Sequence, residues 1–116
     1  MDWNPNRALE IFACLEKKGL KLLVITDGPQ GAYVFSDEAS PFRVFTKVER
    51  WVSTAGAGDT FMAGLLMGLK RRLTLEAASC YASAAAAAQL QQVVCGSLQM
   101  EDLERFLPVT GIEKVF

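Results

Sequence analysis

The feature that most constrains this chain is a run of small residues that opens directly into an apolar stretch. Residues 53–59 read Ser-Thr-Ala-Gly-Ala-Gly-Asp, and the stretch 61–69 that follows contains no charged side chain. This stretch is far shorter than the about 20 residues of a membrane span, so it predicts a buried core helix. A glycine-rich turn before such a helix points successive backbone N–H groups at one spot, where the helix dipole adds positive charge. The sequence therefore predicts an anion hole formed by Gly56, Ala57 and Gly58.

Asp59 follows these residues, in the first turn of the predicted helix. A carboxylate there can accept a proton from a hydroxyl nucleophile while the backbone amides hold the phosphoryl group under attack. Two common phosphate motifs are excluded by spacing, because no lysine follows the glycines and Phe61 stands where the dinucleotide fingerprint needs glycine. The alternative interpretation is that the glycines only permit close packing and that Asp59 is an ordinary residue at a helix start.

Composition excludes several other classes of site. The 116 residues are 51% hydrophobic and 22% charged, which is typical of one globular domain with a core. The net charge of -1 provides no attraction to nucleic acid or to an anionic membrane, so we expect neither as a partner. Histidine is absent, which excludes Ser-His-Asp and Cys-His mechanisms and histidine-based metal sites, and we predict no metal ligands. Three cysteines without C-x-x-C spacing and a start without signal-peptide character favour the cytoplasm.

The first half of the chain predicts one helix followed by strands. Asn4 and Pro5 look like the N-cap and first position of a helix whose apolar residues recur at helical spacing up to Leu15. The apolar run 22–26 is typical of an interior strand covered on both faces. Turn residues at 27–31 separate it from two further predicted strands, Ala32 to Phe35 and Phe42 to Val48.

The second half predicts helices, so the whole order indicates an α/β fold. We expect the helix at 58–70 to be nearly fully buried, because its apolar residues occur almost all round. Thr74 should cap the next helix, in which five consecutive alanines at 84–88 indicate close packing. Ser97 should cap a last helix from Leu98 to Leu107 that ends at Pro108, and the tail at 109–116 should form a strand.

Three segments together resemble the ribokinase-like (PfkB) carbohydrate kinases. Residues 54–61, Thr-Ala-Gly-Ala-Gly-Asp-Thr-Phe, are similar to the C-terminal signature of that family. Residues 24–31 resemble its strand-turn pattern T-x-G-x-x-G, which borders the ATP site, and the alanine-rich helix 82–88 resembles the one beside its adenine pocket. The order and spacing agree, and the resemblance runs from about Asn4 to Leu107.

The resemblance implies a ribokinase-like three-layer α/β/α fold and a specific division of roles. Family members transfer the γ-phosphoryl group of ATP to a primary hydroxyl of a sugar, sugar phosphate or nucleoside. Asp59 matches the catalytic base, and the predicted anion hole matches that of the family. Thr26, Gly28 and Gly31 match nucleotide-binding positions, and Ser83 matches a position near the base.

Two loops depart from the family pattern. Ser53 stands where the family usually has an aspartate that is linked to a monovalent cation, which argues against activation by potassium. Residues 91–97 replace a basic residue followed by Pro-Gly-Ala, and this loop looks more like the pseudouridine kinase branch.

By length, residues 1–116 correspond to only the last third of a family member. The sugar-binding strands, the lid and the N-x-x-E segment that is linked to magnesium are not in this sequence. We therefore expect a C-terminal nucleotide-binding and catalytic portion that uses ATP and Mg²⁺ but is inactive alone, and that forms homo-oligomers through its uncovered apolar faces. The alternative is a non-catalytic truncated remnant that folds and self-associates or binds nucleotide only.

Overall fold

A computed structural model of the chain describes residues 4–50, 52, 56–92 and 99–115. The predicted loop residues Ser53, Thr54 and Ala55, and the predicted helix start at Ser97 and Leu98, lie outside the described residues. No helix in the described ranges has the length and apolar character needed to cross a membrane. The helices and strands, in chain order, are α1 Pro5–Glu16, β1 Leu22–Thr26, β2 Ala32–Ser36, β3 Phe42–Thr46, α2 Ala57–Lys70, α3 Leu75–Gln89, α4 Met100–Phe106 and β4 Thr110–Lys114.

The four described strands form one antiparallel sheet in the order β1-β2-β3-β4. Strand β4 pairs with β3, with Ile112 opposite Val44, which confirms the predicted strand in the C-terminal tail. Strand β1 pairs with β2 alone, so the prediction of an interior strand is wrong for the described sheet. An apolar run reports that both faces of a strand are covered, but it carries no information about whether both edges are paired.

Helices cover both faces of this sheet, which confirms the three-layer α/β/α fold. On one face, α1 packs Ala8 and Phe12 against Phe35, with the two phenylalanine ring centroids 6.1 Å apart. On the other face, α2 and α3 pack against the opposite side chains of the strands, among them Val34 and Val44. Successive strand residues point to opposite faces. The odd positions of β1 and β2 therefore pack against α1, and the even positions pack against α2 and α3.

Helices α2 and α3 are in close contact because small residues face each other. A Cβ atom built on Gly68 would lie 2.8 Å from the Cβ atom of Ala78, and one built on Gly64 would lie 3.0 Å from the Cα atom of Ala82. Only glycine on α2 opposite alanine on α3 permits this approach. The structure therefore confirms that the alanine-rich helix packs closely.

The prediction that helix 58–70 is nearly fully buried is wrong. Phe61 and Leu65 are buried against the sheet and α3, whereas Met62, Leu66 and Leu69 are 49%, 58% and 36% exposed. These three residues, spaced i, i+4 and i+7, form one stripe along the helix, here called the α2 stripe. The α2 stripe is partly exposed to solvent within the described ranges, so the apolar sequence alone overestimated how much of this helix is covered.

The helix starts were predictable where a local hydrogen bond defines them. Asn4 Oδ1 accepts from the backbone N–H of Arg7 at 2.7 Å, and Thr74 Oγ1 accepts from that of Ala77 at 3.1 Å. Both predicted caps are therefore confirmed. The described last helix begins at Met100, where Gln99 and Asp102 form a reciprocal capping box. It ends at Phe106, and a 3-10 turn that contains Pro108 leads into β4.

Candidate functional site

A cavity of about 370 Å³ lies where the ends of β1 and β3 meet the start of α2 and the middle of α3. This volume is within the range of small-molecule sites, at its lower end. The part of the wall that comes from strands and turns consists of Thr26, Gly28, Gly31, Thr46 and Val48. The part that comes from helices consists of Ala57, Gly58, Phe61, Ser83, Ala86, Ala87 and Leu90.

The N-terminus of α2 forms one end of this cavity. Gly56 caps the helix with a φ of 79°, in the left-handed region that residues with a Cβ atom rarely adopt. The backbone N–H and the hydroxyl of Thr60 both donate to the carbonyl oxygen of Gly56, at 2.9 and 2.8 Å, and hold this turn. The amides of Ala57 and Gly58 precede Thr60, the first residue whose N–H donates within the helix, so they have no intrahelical acceptor and favour an anion in the cavity.

The two glycines of this turn have different physical roles. Only Gly56 needs the left-handed conformation, which the sequence led us to expect of a glycine-rich loop. Gly58 lies inside the first turn of α2, and a Cβ atom built there would meet nothing within 4 Å. Its missing side chain therefore leaves open the space in front of the helix amides.

The turn between β1 and β2 depends on glycine for a close approach to β3. Gly28 and Gly31 have φ of 49° and 92°, and a Cβ atom on Gly31 would collide with the carbonyl oxygen of Val44. The N–H of Asp27 donates to the carbonyl of Gly31 at 2.8 Å, which closes the turn. This geometry brings Thr26, Gly28 and Gly31 to the cavity wall, opposite the start of α2.

Three hydroxyl groups form a chain of hydrogen bonds behind the cavity wall. Ser83 Oγ lies 2.8 Å from Thr46 Oγ1, which lies 2.8 Å from Thr110 Oγ1. Thr110 in turn donates to the carbonyl oxygen of Phe106 at 2.8 Å. Ser83 is 6% exposed, and that small exposed part belongs to the cavity.

The structure brings most of the predicted site residues together. Ala57, Gly58, Thr26, Gly28, Gly31 and Ser83 all line the same cavity, although they come from three separate segments. Gly56 adjoins the wall as the cap of α2. Asp59 lies on the first turn of α2 and is exposed, beside the cavity rather than in its wall.

Thr46 is a cavity residue that the sequence reasoning missed. It follows Phe42 and Val44 at alternate positions of β3, on the face that is otherwise apolar and buried. A threonine on such a face was the available signal, because a buried hydroxyl needs a hydrogen-bond partner. Val48, predicted inside the strand, lies two residues past its end and also lines the cavity.

The Cys80 thiol is an ionisable group that lies apart from the cavity. Burial, followed by the negative charge of Glu76, raises the pKa of the Cys80 thiol, which packs at the core outside the cavity. Among the residues that the structure describes, no three His, Cys, Asp or Glu side chains cluster so as to hold a metal ion.

These observations define a class of protein: a three-layer α/β domain whose cavity joins a helix N-terminus to a glycine turn and a small-residue helix. The sequence model described as "pfkB family carbohydrate kinase" matches residues 2–102. The chain belongs to this family.

The curated relatives that match this chain are longer than it is. The 5-dehydro-2-deoxygluconokinase of Lacticaseibacillus casei is 41% identical over 87 residues, which are 72% of this chain and 26% of that protein. The 1-phosphofructokinase of Haemophilus influenzae is 30% identical over 113 residues, which are 95% of this chain and 34% of that protein. The chain thus spans about a quarter to a third of the length of these relatives.

Solved structures share the fold. The phosphofructokinase-2 of Escherichia coli, in complex with potassium, matches with a TM-score of 0.80 and 22% identity over 91% of this chain and 34% of that one. The ribokinase of Arabidopsis thaliana, complexed with ribose and ATP, matches with a TM-score of 0.80 and 22% identity over 90% and 34%. The described elements therefore have the ribokinase-like arrangement.

Proposed function

We propose that residues 1–116 are the nucleotide-binding and catalytic portion of an ATP-dependent kinase that phosphorylates a primary hydroxyl of a sugar or nucleoside. The observation that carries this proposal is the single cavity that joins the α2 amides to the β1–β2 turn and to Ser83. The curated relatives are named as kinases of sugar derivatives, which supports the same class of acceptor. The ribokinase that shares the fold was solved with ATP, which supports this nucleotide.

The two ends of the cavity suit the two ends of ATP. The phosphates would lie at Ala57 and Gly58, because the α2 amides and the helix dipole stabilise negative charge there. The adenine would lie against the apolar wall from α3, which Ala86, Ala87 and Leu90 form. The glycine turn after β1 would contact the nucleotide between these ends through backbone groups.

Asp59 would act as the general base. It stands on the same first turn as the phosphate-binding amides and is exposed, so an acceptor hydroxyl can approach it from outside the cavity. It would take the proton of that hydroxyl as the phosphoryl group arrives. Phosphoryl transfer otherwise needs positioning and charge stabilisation, which the amides of Ala57 and Gly58 provide.

Magnesium and potassium belong to this proposal in different ways. Mg²⁺ would neutralise charge on the ATP phosphates, and we expect its protein ligands in the N-x-x-E segment, which this sequence does not contain. Ser53, which argues against potassium activation, lies outside the described residues, and so does most of the loop that resembles the pseudouridine kinase branch. Both remain predictions, as does a cytoplasmic location.

The test of this proposal is the Asp59→Asn variant in a complete kinase domain that contains this chain. A coupled ADP-release assay should show turnover reduced about 10²–10⁴-fold, the usual contribution of general-base catalysis, with ATP affinity nearly unchanged. Asp37→Asn, an exposed aspartate between β2 and β3, is the matched control and should keep full turnover. Residues 1–116 alone should show no turnover with any sugar. Undiminished turnover in Asp59→Asn would remove Asp59 from the mechanism.

A second candidate is a non-catalytic truncated remnant that folds and self-associates or binds nucleotide only. The exposed α2 stripe and the edge of β1 that is unpaired in the described sheet favour it, because both are surfaces that a further chain can cover. The ADP-release assay and an ATP-binding titration together separate the candidates. ATP binding without ADP release in the presence of sugars supports the second one.

A further inference from the structure

We infer that Ser83 presents only a hydrogen-bond acceptor to the cavity and thereby selects a base that carries an exocyclic amino group, as adenine does. This inference rests on the proposed function, since it names the base that the nucleotide site prefers. It assigns Ser83 as a specificity-determining residue. Thr46 and Thr110 are the positioning residues that determine the direction in which the Ser83 hydroxyl donates its proton.

The direction of each hydrogen bond follows from the number of protons along the chain of three hydroxyl groups. The carbonyl oxygen of Phe106 can only accept, so the hydroxyl proton of Thr110 is used there. Thr110 must then accept from Thr46, and Thr46, whose proton is used, must accept from Ser83. Each hydroxyl has one proton, so the proton of Ser83 points away from the cavity.

What remains of Ser83 on the cavity side is a lone pair. The side chain is buried apart from the part that lines the cavity, so solvent offers it little compensation. A ligand N–H at this position gains a hydrogen bond, whereas a ligand carbonyl places two acceptors against each other. A buried acceptor that finds no donor leaves the desolvation cost uncompensated.

The position of Ser83 places this acceptor at the edge of the base. Ala86 and Ala87 follow it at i+3 and i+4 on α3, so all three residues lie on one helix face. The two alanines form a flat apolar surface for a ring, and Ser83 stands at its border. The phosphate-binding amides of Ala57 and Gly58 lie at another part of the same wall. The base of a nucleotide with its phosphates at those amides would therefore lie against α3.

Three nucleotides present a donor, an acceptor and neither at purine position 6, and of the three only inosine triphosphate also carries a proton on N1. ATP has an amino group there, inosine triphosphate has a carbonyl oxygen, and purine riboside triphosphate has a hydrogen atom. A neutral hydrogen bond is worth about 0.5–1.5 kcal/mol, so ATP should bind about 2- to 12-fold more tightly than purine riboside triphosphate. Inosine triphosphate should bind more weakly still, because its oxygen faces the oxygen of Ser83.

The experiment is an amide chemical-shift titration of the ¹⁵N-labelled 116-residue chain with each nucleotide at millimolar concentration. Thr46→Val removes the acceptor of the Ser83 proton, so Ser83 can rotate and donate, and the preference for ATP over inosine triphosphate should fall to within about 2-fold. Thr46→Ser keeps the chain of hydroxyls and should keep the preference. Ser83→Ala should abolish it.

Ser79→Ala is the matched control, because Ser79 is a buried serine one turn earlier on α3 that does not line the cavity. Among the described residues its hydroxyl has no hydrogen-bond partner, so the variant should fold well and keep the preference for ATP. If ATP and inosine triphosphate bind equally while the amides of Ala57 and Gly58 still shift, the inference is overturned and the proposed function stands. If no nucleotide shifts any cavity amide, both are overturned.

Discussion

The contact between α2 and α3 leads to a prediction in which one chemical change has opposite effects at two positions. In Gly68→Ala, the added methyl carbon would lie 2.8 Å from Ala78 Cβ and 2.9 Å from Ala78 Cα. Carbon atoms in contact are normally about 3.5–4.0 Å apart, so the two helices must separate by several tenths of an ångström or more. Overpacking of this kind costs about 1–3 kcal/mol, and the better helix propensity of alanine offsets about 1 kcal/mol of it.

The expected net result for Gly68→Ala is a loss of up to about 2 kcal/mol in the free energy of unfolding. The control is Gly58→Ala in the same helix, where the new methyl group meets nothing within 4 Å. That variant should gain up to about 1 kcal/mol from helix propensity and reduced freedom of the unfolded chain. Urea unfolding followed by circular dichroism measures both values. A Gly68→Ala variant at least as stable as the unmodified chain would refute the argument that glycine is required for this helix contact.

Two further predictions concern the glycine turn and the uncovered surfaces. Gly31→Ala should lose at least about 2 kcal/mol of stability in the same unfolding assay, since it combines a positive φ with a collision against the Val44 carbonyl. Gly19→Ala, with a φ of 103° but nothing within 4 Å, should lose less, and equal losses would exclude the collision as a cause. We also propose that a second copy of this chain covers the α2 stripe, so sedimentation equilibrium should show association that Leu66→Lys weakens. A monomer at all concentrations would contradict this proposal.

Local features of the fold were predictable from the sequence because short-range interactions determine them. The caps at Asn4 and Thr74 depend on side chains three residues from their partners. The alanine run on α3 has only small side chains, so it indicates that a neighbouring helix packs closely. The edge position of β1 and the exposure of the α2 stripe were not predictable. Both depend on which other chain segments are present, and a local apolar pattern is the same whether or not a surface is covered.

Most residues of the cavity wall were predictable from the sequence, but their geometry was not. Physical reasoning from the sequence predicted an anion hole at the start of α2, whereas Thr26, Gly31 and Ser83 came from the resemblance to the family. Their meeting in one cavity depends on the sheet register and on the approach of the β1–β2 turn to β3. The hydroxyl chain through Thr46 and Thr110 needs the pairing of β3 with β4, and no spacing in the sequence reveals it.

The central claim, that this cavity binds ATP with its phosphates at the start of α2, can be tested by comparing ATP with adenosine. In amide chemical-shift titrations of the labelled chain, Ala57 and Gly58 should shift with ATP and remain unchanged with adenosine. Residues of α3 such as Ala87 should shift with both ligands. Gly58→Val, whose side chain occupies the open space before the amides, should weaken the binding of ATP more than that of adenosine. Shifts of Ala57 and Gly58 that are equal for the two ligands, or absent with ATP, would contradict the account.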